Sequence, residues 1–136
     1  MEKATFKFDS YHFTKAFIDF EIPTKSELSI SFSPKGEYNV SNGRYVLIFD
    51  VVVKSVDTNK NVVDVTCIAS FSFDYRLPIE SIPEYFYPNS LAIVFPYVRA
   101  FVSTLSLQAN VHPIILPTVN LMGLTEQLKK NTIVKE

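Results

Sequence analysis

The sequence predicts an α+β fold: a four-stranded antiparallel sheet (a meander) from the first half, with one long and one shorter C-terminal helix packed on one face. Two observations carry this. Apolar and polar residues alternate along most of residues 4–75, as in strands with one face buried. From Tyr85 to Thr125 only Arg99 is charged, and the apolar residues there recur at helical spacing. At 136 residues, a single domain spanning 1–136 is expected.

Residues 4–22 alternate with a slip. Phe6 and Phe8 share one parity, Tyr11 and Phe13 the other, and Ala16, Ile18, Phe20 and Ile22 return to the first. Such a slip predicts one long strand with bulges or two short strands joined by a jog, ended by Pro23. In residues 27–33, Leu28, Ile30 and Phe32 alternate with serines. Ser33-Pro34-Lys35-Gly36 then has turn chemistry, and Asn42-Gly43 marks a second break. From Arg44 to Val56 a third strand sets Tyr45, Leu47, Phe49, Val51 and Val53 on one face, and residues 57–61 read as a hairpin loop. The fourth strand is the most regular, with Val63, Val65, Cys67, Ala69, Phe71, Phe73 and Tyr75 on one face. Short links between successive strands predict that each pairs with the next.

Pro78, Pro83 and Pro88 predict an irregular crossover over 76–88. A long helix is expected from Asn89 or Ser90 to about Ala109, with Leu91, Val94, Phe95, Val98, Val102 and Leu105 on one stripe. Ile93, Tyr97, Phe101 and Leu107 lie outside that stripe. Pro113 and Pro117 bracket an extended segment, and residues 119–131 form the shorter helix, with Lys129 and Lys130 at its favourable carboxyl end.

Composition excludes several classes of function. Apolar residues make up 47% of the chain and charged residues 20%, with a net charge of −1, which suits neither a phosphate-binding surface nor a disordered chain. His12 and His112 stand far apart in sequence and no Cys-x-x-Cys spacing exists, so no metal site is expected. Three glycines cannot build a phosphate-cradling loop, and no cofactor is implied. Cys67, in an alternating apolar run, reads as a buried inert thiol. Asp19 and Glu21 share a strand face, and a solvated face is the expected reading. The chain is not expected to be an enzyme. The start Met-Glu-Lys-Ala-Thr lacks an apolar leader, and uninterrupted apolar runs fall short of the roughly 20 residues of a membrane helix. A cytoplasmic protein without membrane insertion is expected.

A helix apolar on more than one side cannot hide all its surface against one small sheet. Covering about 600 Å² more per subunit would favour association by about 15 kcal/mol before entropic costs, at about 25 cal/mol per Å². An obligate homo-oligomer is therefore expected, with Ile93, Tyr97, Val98, Arg99, Phe101 and Val102 as candidate interface residues.

Residues 87–99, Tyr-Pro-Asn-Ser-Leu-Ala-Ile-Val-Phe-Pro-Tyr-Val-Arg, resemble the opening of the first long helix of the SecB family of protein-export chaperones. His112-Pro113 through Pro117-Thr118-Val119-Asn120-Leu121 is similar to that family's segment before its last helix. Phe13-Thr14-Lys15 and Phe20-Glu21-Ile22-Pro23 resemble its first strand. The resemblance implies a dimer of dimers assembled through the long helices. It also implies a holdase that binds unfolded preproteins or other non-native polypeptides in aromatic-lined grooves, and delivery to the SecA motor. Typical members are strongly acidic, whereas this chain is nearly neutral, and it stops a few residues past the last helix. Weak motor docking is expected for both reasons, with Glu21 as the candidate docking residue; a dedicated client such as an antitoxin is the alternative, and an adaptor oligomer without clients another. For client contact the candidates are Tyr75, Tyr85, Phe86 and Tyr87 around the crossover, joined by Phe71 and Phe73, because aromatics offer wide contact area tolerant of many partners.

Overall fold

The computed structural model describes residues 5–23, 25–117 and 121–136. Five strands, β1 (Phe6–Ile18), β2 (Leu28–Asn39), β3 (Arg44–Ser55), β4 (Asn61–Phe73) and β5 (Thr132–Lys135), form one sheet in the order β1-β4-β3-β2-β5. The helices α1 (Phe86–Gln108) and α2 (Leu121–Lys130) lie between β4 and β5 in sequence. The α+β class holds, and β2, β3 and β4 are the expected antiparallel meander. β1 departs from it: the chain crosses from β1 to β2 through residues 19–27, and β1 pairs with β4. Three consecutive strands, with the remaining one returned beside the last of them, make a Greek key. Nine linking residues allow what a hairpin loop would forbid.

The slip in β1 is two bulges. The register runs Phe8↔Phe71, Ser10↔Ser70, then Phe13↔Cys67, Lys15↔Thr66, leaving Asp9 and Thr14 as the extra residues. Opposed residues share a face, so Phe6, Phe8, Tyr11, Phe13, Ala16 and Ile18 all point to the helix-covered face. Without the bulges, Tyr11 and Phe13 would have pointed to the opposite face from Phe8 and Ala16.

The expected turn at 33–36 is not a turn. Pro34 and Gly36 lie inside β2, opposite Phe49 and Leu47. The Gly36 and Val40 N–H groups point outward, to Asn131 O at 3.2 Å and Lys135 O at 3.0 Å, so the alternation aims the ring nitrogen of Pro34 outward too. Because β5 pairs only with Gly36–Asn39, no ladder bond is lost at Pro34. Gly36 serves close approach. A Cβ there would sit 2.0 Å from Tyr45 Oη and 2.9 Å from Thr132 Oγ1, two atoms that hydrogen-bond across it at 2.6 Å. The other two predicted breaks are real, with Gly43 at φ +69° and Asn59 at φ +56°.

α1 starts three residues before Asn89, so Phe86 and Tyr87 belong to its first turn. Pro88 fits there because the first N–H groups of a helix lack carbonyl partners anyway. Pro96 is tolerated mid-helix on the exposed side. By length and composition α1 could cross a membrane; in this fold it covers the sheet, burying Phe86, Tyr87, Ser90, Leu91, Val94, Val98, Val102 and Ser106. That face meets Tyr45, Leu47, Phe49, Val51 and Val53 of β3 and Val63, Val65, Cys67, Ala69 and Phe71 of β4 in one core. α2 packs on β2 and α1 through buried Leu128. β5 then adds in parallel to β2, held also by Lys135–Glu37 at 3.2 Å.

Candidate functional site

Two exposed apolar surfaces lie at opposite ends of the sheet. The first is a cleft of about 350 Å³ lined by Phe20, Ile22, Pro23, Leu28, Val62, Val111, His112 and Ile114, among others. The β1–β2 link builds one wall, shaped by local bonds. Asp19 N–H bonds Val62 O at 2.8 Å, Asp19 Oδ1 accepts from Glu21 N–H at 3.1 Å, and Lys60 Nζ reaches Asp19 Oδ2 at 2.9 Å and Glu21 O at 3.2 Å. The hydrogen bond from Lys60, then the one from Glu21 N–H, holds the Asp19 carboxyl below its ordinary value. The opposite wall hangs from α1. Ser106 Oγ accepts the Ile114 N–H at 2.9 Å and donates to Ser103 O at 2.9 Å, while Ser103 Oγ donates to Ile114 O at 3.2 Å. Two helix hydroxyls therefore fix both polar groups of the residue that drops its side chain against the cleft. Ile18, Leu28, Val56, Leu107 and Ile115 are exposed apolar residues on or next to the segments at this end.

The second surface is the crossover. Tyr38 Oη donates to Leu77 O at 2.6 Å, and Lys129 bonds Glu84, tying the crossover to the sheet and to α2. Tyr75 and Tyr85 are exposed here, at 50% and 43%.

Only those two of the candidate contact aromatics can touch a partner. Phe71, Phe73, Phe86 and Tyr87 are buried. The early start of α1 drives the Phe86 ring between Phe6, Tyr45 and Phe73, with centroids 4.9, 4.7 and 4.8 Å away. A side chain enclosed like this offers no contact area to a client. The candidate interface residues divide likewise. Val98 and Val102 are in the core, facing the sheet. Tyr97 stacks on Tyr11 at 4.2 Å and Phe101 on Phe13 at 3.9 Å, so both seal α1 against β1 while keeping some exposure. Ile93 is half-buried and Arg99 exposed; with Ala92, Pro96, Ala100 and Thr104 they mark the outward side of α1.

Glu21 lies at the cleft, away from the uncovered sheet face. That face carries Lys7, Lys15, Lys35, Arg44, Lys54 and Lys135 against Asp9, Glu37, Asp50 and Asp64. Lys15–Asp64 at 2.7 Å is its shortest ion pair, and the hydrogen bond from Lys15 Nζ raises that amine's pKa. His12 stands on this face and His112 in the cleft, and no metal-binding cluster occurs among the described residues. Cys67 is buried, and burial pushes its thiol up to about 11.

The cleft was not anticipated from the sequence. Its signal was apolar residues inside proline-punctuated links, Phe20-x-Ile22-Pro23 and Val111-His112-Pro113-Ile114, where polar residues would be the norm.

No family model matches the chain. An uncharacterized protein of Methanocaldococcus jannaschii is 29% identical over 135 residues, covering 94% of this chain and 87% of that one. The SecB-like chaperone of Mycobacterium tuberculosis, solved in complex with a ChAD peptide from the HigA1 antitoxin, superposes with a TM-score of 0.68 at 12% identity. The match covers 85% of this chain and 88% of that one. A protein of unknown function from Streptococcus agalactiae reaches a TM-score of only 0.37 at 10% identity, covering 85% and 98%. The fold is SecB-like.

Proposed function

We propose that this chain is a holdase-type chaperone that binds non-native polypeptide and works as a homo-oligomer. The observation that carries this is the pairing of a SecB-like fold with two apolar surfaces that its own helices leave uncovered. Their make-up suits many clients: aromatic rings with polar tips at the crossover, and a mainly apolar cleft whose lining residues include no Asp, Glu, Lys or Arg. The solved relative holds an antitoxin peptide, which supports a polypeptide as the bound species and makes a dedicated client as consistent with the fold as an export precursor. Motor docking of the acidic kind is the less favoured extension, because the uncovered sheet face mixes both signs with cations in excess. The outward side of α1, small and uncharged but for Arg99, is proposed as the contact between subunits, and the cytoplasm as the compartment.

The test is suppression of aggregation of a chemically denatured client, with the mass in solution measured by light scattering. A protein that assembles but protects no client supports an adaptor oligomer instead. A monomer at micromolar concentration removes the assembly.

A further inference from the structure

We propose that the open edge of β2 receives an extended client segment as an added strand, with alternate client side chains directed toward the cleft beside Leu28. This names a binding mode for the proposed client site and rests on that reading.

β2 is twelve residues long, yet β5 pairs only with Gly36–Asn39. The outward N–H groups of Gly36 and Val40 set the alternation, so Leu28, Ile30 and Phe32 aim their N–H and C=O groups at the same edge. No described residue bonds those groups; β2 has β3 on its other side. A row of unpaired donors and acceptors on a strand edge is complementary to one thing above all, another extended backbone. Pro34 ends the row, because it has no proton to give where β5 begins.

The outer strand β5 is only four residues long, and what distinguishes the open stretch of β2 from the edge of the other outer strand, β1, is its neighbour and its regularity. β1 is broken by bulges at Asp9 and Thr14, which blunt an edge against pairing. From Leu28 to Ser33 the β2 register with β3 is unbroken. Leu28 both opens this edge and lines the cleft. Leu28, Ile30 and Phe32 face the helix-covered side with the cleft, so a strand added here sets every second side chain on that side. The occupant is therefore an unfolded segment with an apolar residue at alternate positions and no proline among its paired residues. Backbone bonds would supply sequence-tolerant affinity, and the cleft the preference for an apolar side chain.

The test uses a labelled, soluble peptide of alternating apolar and neutral polar residues, with binding to the full chain followed by fluorescence anisotropy. Two analogues carry N-methyl groups on alternate amides, each blocking one edge of the peptide. One analogue should lose about ten-fold in affinity and the other much less, as expected when ladder bonds of about 1 kcal/mol are removed from a single edge. Ile30→Pro should weaken the unmodified peptide to a similar degree while circular dichroism and mass in solution stay unchanged, since Pro34 shows that β2 accepts proline in this orientation. Should the peptide bind while both analogues and Ile30→Pro bind equally well, strand addition is wrong and the holdase reading stands. Absence of both peptide binding and aggregation suppression in the unmodified protein overturns the two together.

Discussion

Gly36→Ala tests whether β5 is held by the geometry described. The new Cβ would lie 2.0 Å from Tyr45 Oη and 2.4 Å from Cζ, distances no side chain tolerates. Tyr45 is enclosed between Tyr38, Phe86 and Tyr87, so its ring cannot swing clear without moving those neighbours. Overpacking of this kind costs about 1–3 kcal/mol. Moving the hydroxyl also breaks its bond to Thr132 and leaves it in a site dry enough to hold its pKa far above the ordinary tyrosine value, chiefly through burial. An unmet buried hydroxyl adds about 1–3 kcal/mol. A loss of about 3 kcal/mol is expected, a large share of the 5–15 kcal/mol typical of a domain. Tyr45→Phe, which removes only the hydrogen bond, should cost about 1 kcal/mol. Urea denaturation at one fixed protein concentration measures both, since assembly makes stability concentration-dependent. A Gly36→Ala protein within about 0.5 kcal/mol of the parent would show that β5 does not seat against Tyr45 as described; that threshold is the scatter of neutral surface changes.

Three further outcomes are expected. Val98→Glu should unfold the chain, because it buries an unpaired charge at a cost of several kcal/mol, whereas Ala100→Glu should leave circular dichroism intact and reduce the mass by light scattering; a folded, fully assembled Ala100→Glu protein would move the interface off α1. Replacing Tyr75 and Tyr85 by Ser should lower affinity for an aromatic-rich unfolded client about thirty- to nine-hundred-fold, at about 1–2 kcal/mol for each of the two contacts, without loss of assembly; unchanged protection would leave the cleft end as the main surface. Cys67, with its thiol raised to about 11 by burial, should resist a thiol reagent at pH 8 until the chain is denatured. Because the folded value exceeds the ordinary thiol value of 9.0, its contribution to stability is whole below pH 9 and falls between pH 9 and 11. Fast native labelling would contradict this burial.

Much of the fold lay in the sequence because strands and helices write their buried faces as periods of two and 3.6. Along β3 and β4 the alternation predicts the apolar face from Tyr45 to Phe73, and misses only Ser55, Val62 and Ser70 among the buried residues of the two strands. Even the slip in β1 announced bulges, since only an extra residue reconciles Phe8 with Tyr11 on one face. What periodicity cannot encode is which strand lies beside which. The place of β1 next to β4, and the fifth strand supplied by Thr132–Lys135, depend on pairings distant in sequence. Local chemistry misled where tertiary contacts override it: Pro-Lys-Gly reads as a turn until β5 is seen to start at Gly36 and Tyr45 to need the space. The site divides on the same ground. Composition alone, one charge in residues 85–125, says that apolar surface is in excess, but only packing decides which residues spend it inside. Phe86, Val98 and Val102 went to the core because α1 begins early and turns that side to the sheet. Tyr75 and Tyr85 stay exposed because they lie in the crossover that precedes α1, and the cleft stays open because its walls are links without a buried face of their own.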